Sequence, residues 1–387
     1  MIVDRAVRRV LVWRQGTLGD TIVALPSLHL VARAFPQAER RLLSDQITNA
    51  NIAPAARLLL EPGLVHGVVA YPSQTRAPSA LAGVGRAVRA FAPEVVVYLV
   101  EGRTWRQRVR DRAFLRLCGV RRVIGAGLFD DASRNRILGD GPLVEAEAKR
   151  LARSLAALGR MPLDADTSWD LGLTAAEHAA AAAALAPLGG TPFVAFSLGT
   201  KWQPNDYTDD NWRRVLARAG ERCAGIALVA FGAPNEQVRS ADVLAAWPGE
   251  TLNLCGALAV RESAAALTQA LAFAGHDSGP MHMAAAVAVP CVCVFSGRNP
   301  PGQWYPRGAG HTIFYNDVSC APCGLTVCRA EGKRCILSVP AREVGDALAA
   351  TSNAALARRA ASARPTARRR DGAAVRGRSI ERAVAGR

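Results

Sequence analysis

The sequence predicts an α/β protein made of two Rossmann-like domains facing a central cleft. Three observations predict it. Short apolar runs alternate with helical patterns on both sides of residue 173, which reads as two α/β series with parallel sheets. Each series opens with a strand that runs into a glycine-containing loop. The length, 387 residues with 50% of them apolar, suits two domains that each bury a core.

Taken in order, 9–14 (RVLVWR) is a short buried strand. It ends in Gln15-Gly16-Thr17-Leu18-Gly19-Asp20, and a helical run over 21–35 follows, closed by Pro36. Further strands are predicted at 64–71, 95–100 and 123–125, with helices at 81–91 and 106–118 between them. A helix at 146–158 and a Pro/Asp-containing segment at 161–173 then interrupt the alternation. The Ala-rich helix at 174–188 opens with Thr174 as N-cap and Glu177 three residues on, a capping box, and Gly189-Gly190 end it. The second series has strands at 193–197, 226–231, 273–276 and 289–295, with helices at 211–222 and 263–271. The predicted divisions are 1–172, 173–351 and a tail at 352–387.

The net charge of +16 is unevenly placed. Residues 352–387 hold ten Arg against Asp371 and Glu381, so half of the excess lies in under a tenth of the chain. With almost no large apolar residues, this segment cannot offset its ordering entropy and reads as a disordered basic tail. It is either a solvated tail or one drawn to an anionic membrane surface or to nucleic acid. Residues 103–122 add eight Arg and one acid, Asp111. That stretch reads as an amphipathic helix with Val109, Phe114, Leu115 and Leu117 toward the sheet and its Arg outward, able to meet anionic lipid or a phosphorylated acceptor. Poor aromatic interleaving argues against specific nucleic-acid recognition. No run approaches ~18 uninterrupted apolar residues, so no transmembrane helix is expected. Residues 1–15 lack the cleavage site of a secretory signal. Nine Cys, five of them in apolar contexts, fit a reducing cytosol.

Chemistry is sought in the loops after the strands, where two facing α/β halves hold ligand. Gly16 and Gly19 let backbone approach a ligand at a helix N-terminus, and Asp20 is either a capping carboxylate or a general base for a hydroxyl nucleophile. In Gly199-Thr200-Lys201, Thr200 offers a hydroxyl and Lys201 a point charge to phosphate oxygens, or Lys201 is simply solvated. In Gly232-Ala233-Pro234-Asn235-Glu236, Glu236 is a ribose-diol acceptor or an exposed first-turn acid. Asp277-Ser278-Gly279-Pro280-Met281-His282 opens a helix whose free N–H groups suit a diphosphate, with His282 one turn in, as a ligand contact or a packed histidine. Cys320-x2-Cys323-x4-Cys328-x6-Cys335 leaves structural metal, free thiols and disulfides open.

Together these loops resemble glycosyltransferase family 9, the heptosyltransferases of lipopolysaccharide core assembly, over residues 8–348. The resemblance rests on Gly16-x-x-Gly19-Asp20 with Leu25-Pro26-Ser27-Leu28, on Gly199-Thr200-Lys201, on Gly232 to Glu236, and above all on Asp277 to His282. The Cys cluster after Trp304 and Pro306 looks like one in a subset of the family. The resemblance implies a GT-B fold, with the acceptor in the N-terminal half and a nucleotide sugar, typically ADP-L-glycero-D-manno-heptose, in the C-terminal half. It implies inversion at the anomeric carbon with no cofactor and no obligatory metal. Asp20 matches the family's base, Thr200 and Asp277-Ser278-Gly279 its diphosphate loops, and Glu236 its nucleoside carboxylate. One departure stands out: where the family often carries a phosphate-binding Lys ahead of the Trp at 212, this chain has Asn205, and Lys201 is the candidate to supply the charge. The implied partners are a nucleotide-sugar donor, a glycolipid acceptor and an anionic inner-membrane surface; a cytoplasmic, peripherally attached monomer is expected. Two other readings stand beside this one: a GT-B-type nucleotide-sugar epimerase, and a non-catalytic basic protein that binds membrane or nucleic acid on the same scaffold.

Overall fold

The computed structural model describes residues 4–46, 56–72, 77–127, 131–329 and 331–363. The first half contains β1 (Arg9–Trp13), α1 (Leu18–Val23), α2 (Leu25–Ala34), β2 (Glu39–Gln46), α3 (Arg57–Leu60), β3 (Gly67–Pro72), α4 (Pro78–Phe91), β4 (Val95–Tyr98), α5 (Trp105–Leu117), β5 (Arg122–Ile124) and α6 (Glu147–Ser154). After α7 (Ala175–Leu185) come β6 (Phe193–Ser197), α8 (Asp209–Gly220), β7 (Ala227–Ala230), α9 (Gln237–Leu244), β8 (Thr251–Asn253), α10 (Val260–Leu267) and β9 (Phe273–His276). The chain continues through α11 (Gly279–Ala286), β10 (Cys291–Phe295), β11 (Thr312–Tyr315), α12 (Arg334–Leu337) and α13 (Ala341–Ala363).

The strands form two separate all-parallel sheets, in the orders β3-β2-β1-β4-β5 and β11-β10-β9-β6-β7-β8. Continuous apolar sequence explains why β1 and β6 lie inside them. In β1, Val10 and Val12 pack into one buried cluster while Leu11 and Trp13 pack into another on the opposite face. In β6, Phe193 and Ala195 face the first of these clusters, and Val194 and Phe196 face a third. A parallel strand covered by helices on both faces needs apolar residues at every position. The cluster shared by β1 and β6 also takes in Leu25 of α2 and Met281 of α11, so one apolar core joins the two halves below the cleft.

Three strands escape the sequence pattern, each for a visible reason. β2 reads ERRLLSDQ, yet Arg40 is buried because its guanidinium donates to the carbonyls of Phe35, Ala38, Gly63 and Leu64. Arg41 stacks over Phe91 at 4.5 Å. β8 and β11 are short edge strands with little apolar signal. The capping box of α7 is present, with Thr174 Oγ1 accepting from the Glu177 amide at 3.3 Å.

Two expectations are corrected. The segment 352–363 continues α13 rather than forming disordered tail, because Ser352 and Ala355 are buried against the second half. Residues 364–387 lie outside the described residues. In α5 Leu115 is fully buried and Phe114 packs beside it on the core of the first sheet, as expected. Val109 and Leu117 are instead 42% and 80% exposed, and Arg108 and Asp111 are buried in their place, at 2% and 3%. Arg108 donates to the Gly127 carbonyl at 2.7 Å, and Asp111 accepts from the Tyr98 hydroxyl at 2.8 Å. Hydrogen bonding therefore adds two charged residues to an inward face that apolarity alone assigns to Phe114 and Leu115. Among the described residues no helix is long and apolar enough to cross a membrane.

Candidate active site

Each sheet reverses its strand order once, between β1 and β4 in the first and between β6 and β9 in the second. Loops leaving such neighbours diverge and open a crevice at the carboxyl ends of the strands. Gly16, Gly19 and Asp20 follow β1; Thr200 and Lys201 follow β6; Glu236 follows β7; Asp277, Ser278, Gly279 and His282 follow β9.

In the β1 loop, Thr17 caps α1 and Asp20 reaches back to it. Asp20 Oδ2 accepts from the Thr17 backbone N–H and, at 2.8 Å, from Thr17 Oγ1. Asp20 is thus a capping-box carboxylate. Its other oxygen, Oδ1, lies 3.8 Å from Arg14 Nη2, and the side chain keeps 18% exposure at the cleft. Gly16 makes this geometry possible: its φ is +119°, and a Cβ there would overlap the Asp20 carboxyl.

Below the loop lies a buried charge network. Arg14 donates from Nη1 to the Leu99 carbonyl at 2.8 Å and from Nη2 to the Asp20 carbonyl at 3.0 Å. It also lies 3.7 Å from Glu147, which takes two bonds from Arg150 at 2.7 and 2.6 Å. Glu101, after β4, joins this group with an Oε2 that is buried and without a partner among the described residues. Burial pushes its carboxyl up to about 8, with Asp20 and Glu147 adding to the rise and Arg14 and Arg150 opposing it.

Across the cleft, Ser278 caps α11, and its Oγ is also buried without a partner among the described residues. Asp277 Oδ2 accepts from Asn299 Nδ2 at 3.2 Å. Burial pushes the Asp277 carboxyl up to about 7; the Asn299 bond works against this and the Asp20 charge adds to it. His282 is buried between the halves. A Cβ on Gly19 would come within 2.9 Å of its Cδ2, and its ring meets Trp304 edge-on at 6.2 Å. Burial holds His282 down to about 4, so it is neutral at pH 7. Its Nε2 is 3.9 Å from Asp277 Oδ1, beyond hydrogen-bond reach. In this geometry His282 is the packed joint between α1 and α11.

That joint is the central feature. A Cβ on Gly279 would touch Leu18 at 3.0 Å, and one on Gly19 would lie 3.6 Å from the Gly279 Cα. Two helix N-termini, one from each half, therefore meet, and the Asp20 charge is felt at both Asp277 and His282.

A second group gathers around Glu236. Its Oε2 accepts from the Ala233 amide at 2.9 Å, and a Cβ on either Gly199 or Gly232 would strike the carboxylate. Burial pushes Glu236 above the usual carboxylate range. Thr200 Oγ1 donates to the Trp202 carbonyl at 3.4 Å, while Lys201 is exposed with its ammonium 4.6 Å from the Trp202 ring. Asn205 is buried: its Oδ1 accepts from Ser296 Oγ at 2.5 Å and its Nδ2 donates to the Asp277 carbonyl at 3.4 Å. It fastens together the loops after β6, β9 and β10.

The four clustered cysteines are free thiols, and among the described residues no group of three or more His, Cys, Asp or Glu is placed to hold a metal ion. Arg14, Glu101, Glu147, Arg150 and Arg298 belong to no recognisable motif and were missed. The available signal was position alone, since Arg14, Glu101 and Arg298 all follow strand ends.

The family model for glycosyltransferase family 9 (heptosyltransferase) matches residues 127–333. A curated relative, lipopolysaccharide heptosyltransferase 1 of Pseudomonas aeruginosa, is 30% identical over 139 residues, 36% of this chain. That alignment spans only 38% of the relative's own length. Among solved structures, a family 9 glycosyl transferase of Veillonella parvula superposes with a TM-score of 0.68 at 15% identity, covering 92% of this chain and 100% of that one. The ADP-heptose LPS heptosyltransferase II of E. coli gives 0.60 at 15% identity, covering 89% and 99%. The E. coli heptosyltransferase WaaC, solved with ADP, gives 0.58 at 18% identity, covering 89% and 99%. At these identities the superpositions establish the fold, which is GT-B.

Proposed function

The chain belongs to glycosyltransferase family 9, and from that premise we propose that it moves a heptose-type sugar from a nucleotide diphosphate donor, ADP-heptose, to a lipopolysaccharide core or related glycolipid acceptor, with inversion. The observation that carries the proposal is the meeting of α1 and α11. It sets a partly exposed carboxylate from one half beside a helix N-terminus from the other.

On this reading the first half holds the acceptor and the second the donor. Asp20 takes the proton from an acceptor hydroxyl through its cleft-facing oxygen. The freed oxygen attacks the anomeric carbon as the bond to the diphosphate breaks. The departing charge falls on the α11 backbone amides, Ser278 Oγ and Thr200. Glu236 receives the ribose hydroxyls, held rigid between Gly199 and Gly232. The exposed face of α5, with Trp105, Arg106, Arg110 and Arg116, supports a peripheral seat on an anionic membrane.

The test is incubation of the full chain with ADP-heptose, with and without a Kdo-containing lipid acceptor. Transfer that needs the acceptor, with the donor intact in its absence, is the expected result. Isomerisation or hydrolysis of donor alone at a comparable rate would instead indicate the epimerase chemistry.

A further inference from the structure

We propose that Arg298 is the side chain that grips the donor's diphosphate, and that the cysteine-bearing segment 318–328 exists to hold it there. The inference rests on the transferase reading above and names a cation for its donor subsite.

The cleft is crowded with acids: Asp20, Glu101 and Asp277. Burial already raises the Glu101 and Asp277 carboxyls. A diphosphate set beside them and the Asp20 charge in a partly buried site needs a cation close by, because adding negative charge there without one is costly. The two buried guanidiniums nearby are already committed. Arg14 donates to the carbonyls of Leu99 and Asp20 and pairs with Asp20 and Glu147. Arg150 is spent on Glu147 and the Ala132 carbonyl. Lys201 is exposed over Trp202, and Asn205 is uncharged and tied to Ser296.

Arg298 differs from all of these. It follows β10, the strand beside β9, so it lies next to the loop that opens α11. It is partly buried, and its charge is felt by Asp277, while Glu101 in the other half acts on it in turn. Its Nη1 donates to Asn299 Oδ1 at 2.9 Å, and Asn299 Nδ2 donates onward to Asp277. Its Nε donates to the Leu325 carbonyl at 2.9 Å, and its Cζ stands 4.6 Å from the Trp202 ring centroid. Nη2 has no hydrogen-bond partner among the described residues, which leaves one edge of the planar fork for an anion.

The placement is fixed from behind. The Gly324 amide donates to the Arg298 carbonyl at 2.9 Å, the Cys323 amide to the Gly297 carbonyl at 3.1 Å, and the Cys328 amide to Gln203 Oε1 at 2.9 Å. The segment thus straps the loop that carries Arg298 to the loop that carries Thr200. Two committed donors and a fixed backbone leave the guanidinium little freedom to lose on binding, which favours affinity.

Calorimetric titration of ADP and of adenosine into wild type, Arg298→Ala and Arg298→Gln tests this. Loss of a charge-assisted contact should weaken ADP by about 10- to 100-fold. Adenosine, which lacks the diphosphate, should weaken by less than about threefold, and raised salt should weaken wild-type ADP binding more than that of either variant. If Arg298→Ala does not fold, Arg298→Gln carries the comparison, since it keeps part of the stem without the charge. Wild type binding ADP while neither variant loses affinity, or while ADP and adenosine weaken alike, overturns the assignment of Arg298 alone. A wild-type chain that binds none of ADP, UDP and GDP overturns the donor reading, and the proposal with it.

Discussion

Asp20→Asn is expected to fold and to bind donor while its turnover in sugar transfer falls by ~10²- to 10⁴-fold, the usual contribution of a positioned general base. The prediction separates the two things Asp20 does. As a cap it accepts hydrogen bonds from the Thr17 amide and hydroxyl, and an amide oxygen can still accept both. As a base it must take a proton, which an amide cannot do. Asp20→Ala removes both roles and should add about 1 kcal/mol of lost stability. Thermal melts beside steady-state kinetics separate the effects. A kcat for Asp20→Asn within threefold of wild type would remove Asp20 as the base and leave it a cap.

Glu147→Ala is expected to lose about 3–5 kcal/mol of folding stability, as for other buried pairs stripped of one partner. The Glu147 side chain is fully buried, and the cations it serves, Arg150 and Arg14, keep only 4% and 3% exposure. Removing the carboxylate leaves two guanidiniums buried with too little negative charge. Since domains hold only about 5–15 kcal/mol in total, the loss is severe. Arg14 also supports the Asp20 carbonyl, so the urea midpoint measured without donor should fall together with transfer activity. A midpoint unchanged from wild type would mean that water reaches this network freely.

Much of the fold was legible because parallel strands covered on both faces announce themselves as apolar runs. β1 and β6 were readable for that reason, and β2 was not, since Arg40 is buried by four carbonyls that no local pattern reveals. The inward face of α5 was half legible: Phe114 and Leu115 pack inward as the pattern predicts, but Asp111 is inside because Tyr98, from β4, donates to it. The boundary of the tail was misplaced because Ala-rich sequence looks unable to pack, yet Ala355 is buried on a neighbouring surface. At the site, loops with glycines were visible because close approach forbids a Cβ, as at Gly16 and Gly199. Arg298 was invisible because nothing nearby in sequence marks it. Apart from its neighbour Asn299, its partners Trp202 and Leu325 come from two other loops.

On the proposed reading, sugar transfer is a direct displacement across the α1–α11 junction, with a base in one half and a diphosphate seat in the other. The measurement that bears on it most directly is the anomeric configuration of the transferred sugar, read by nuclear magnetic resonance on the product formed from ADP-heptose and the lipid acceptor. A single attack by an acceptor oxygen activated at Asp20 predicts a linkage of configuration opposite to the donor's. A product that keeps the donor's configuration would contradict the account.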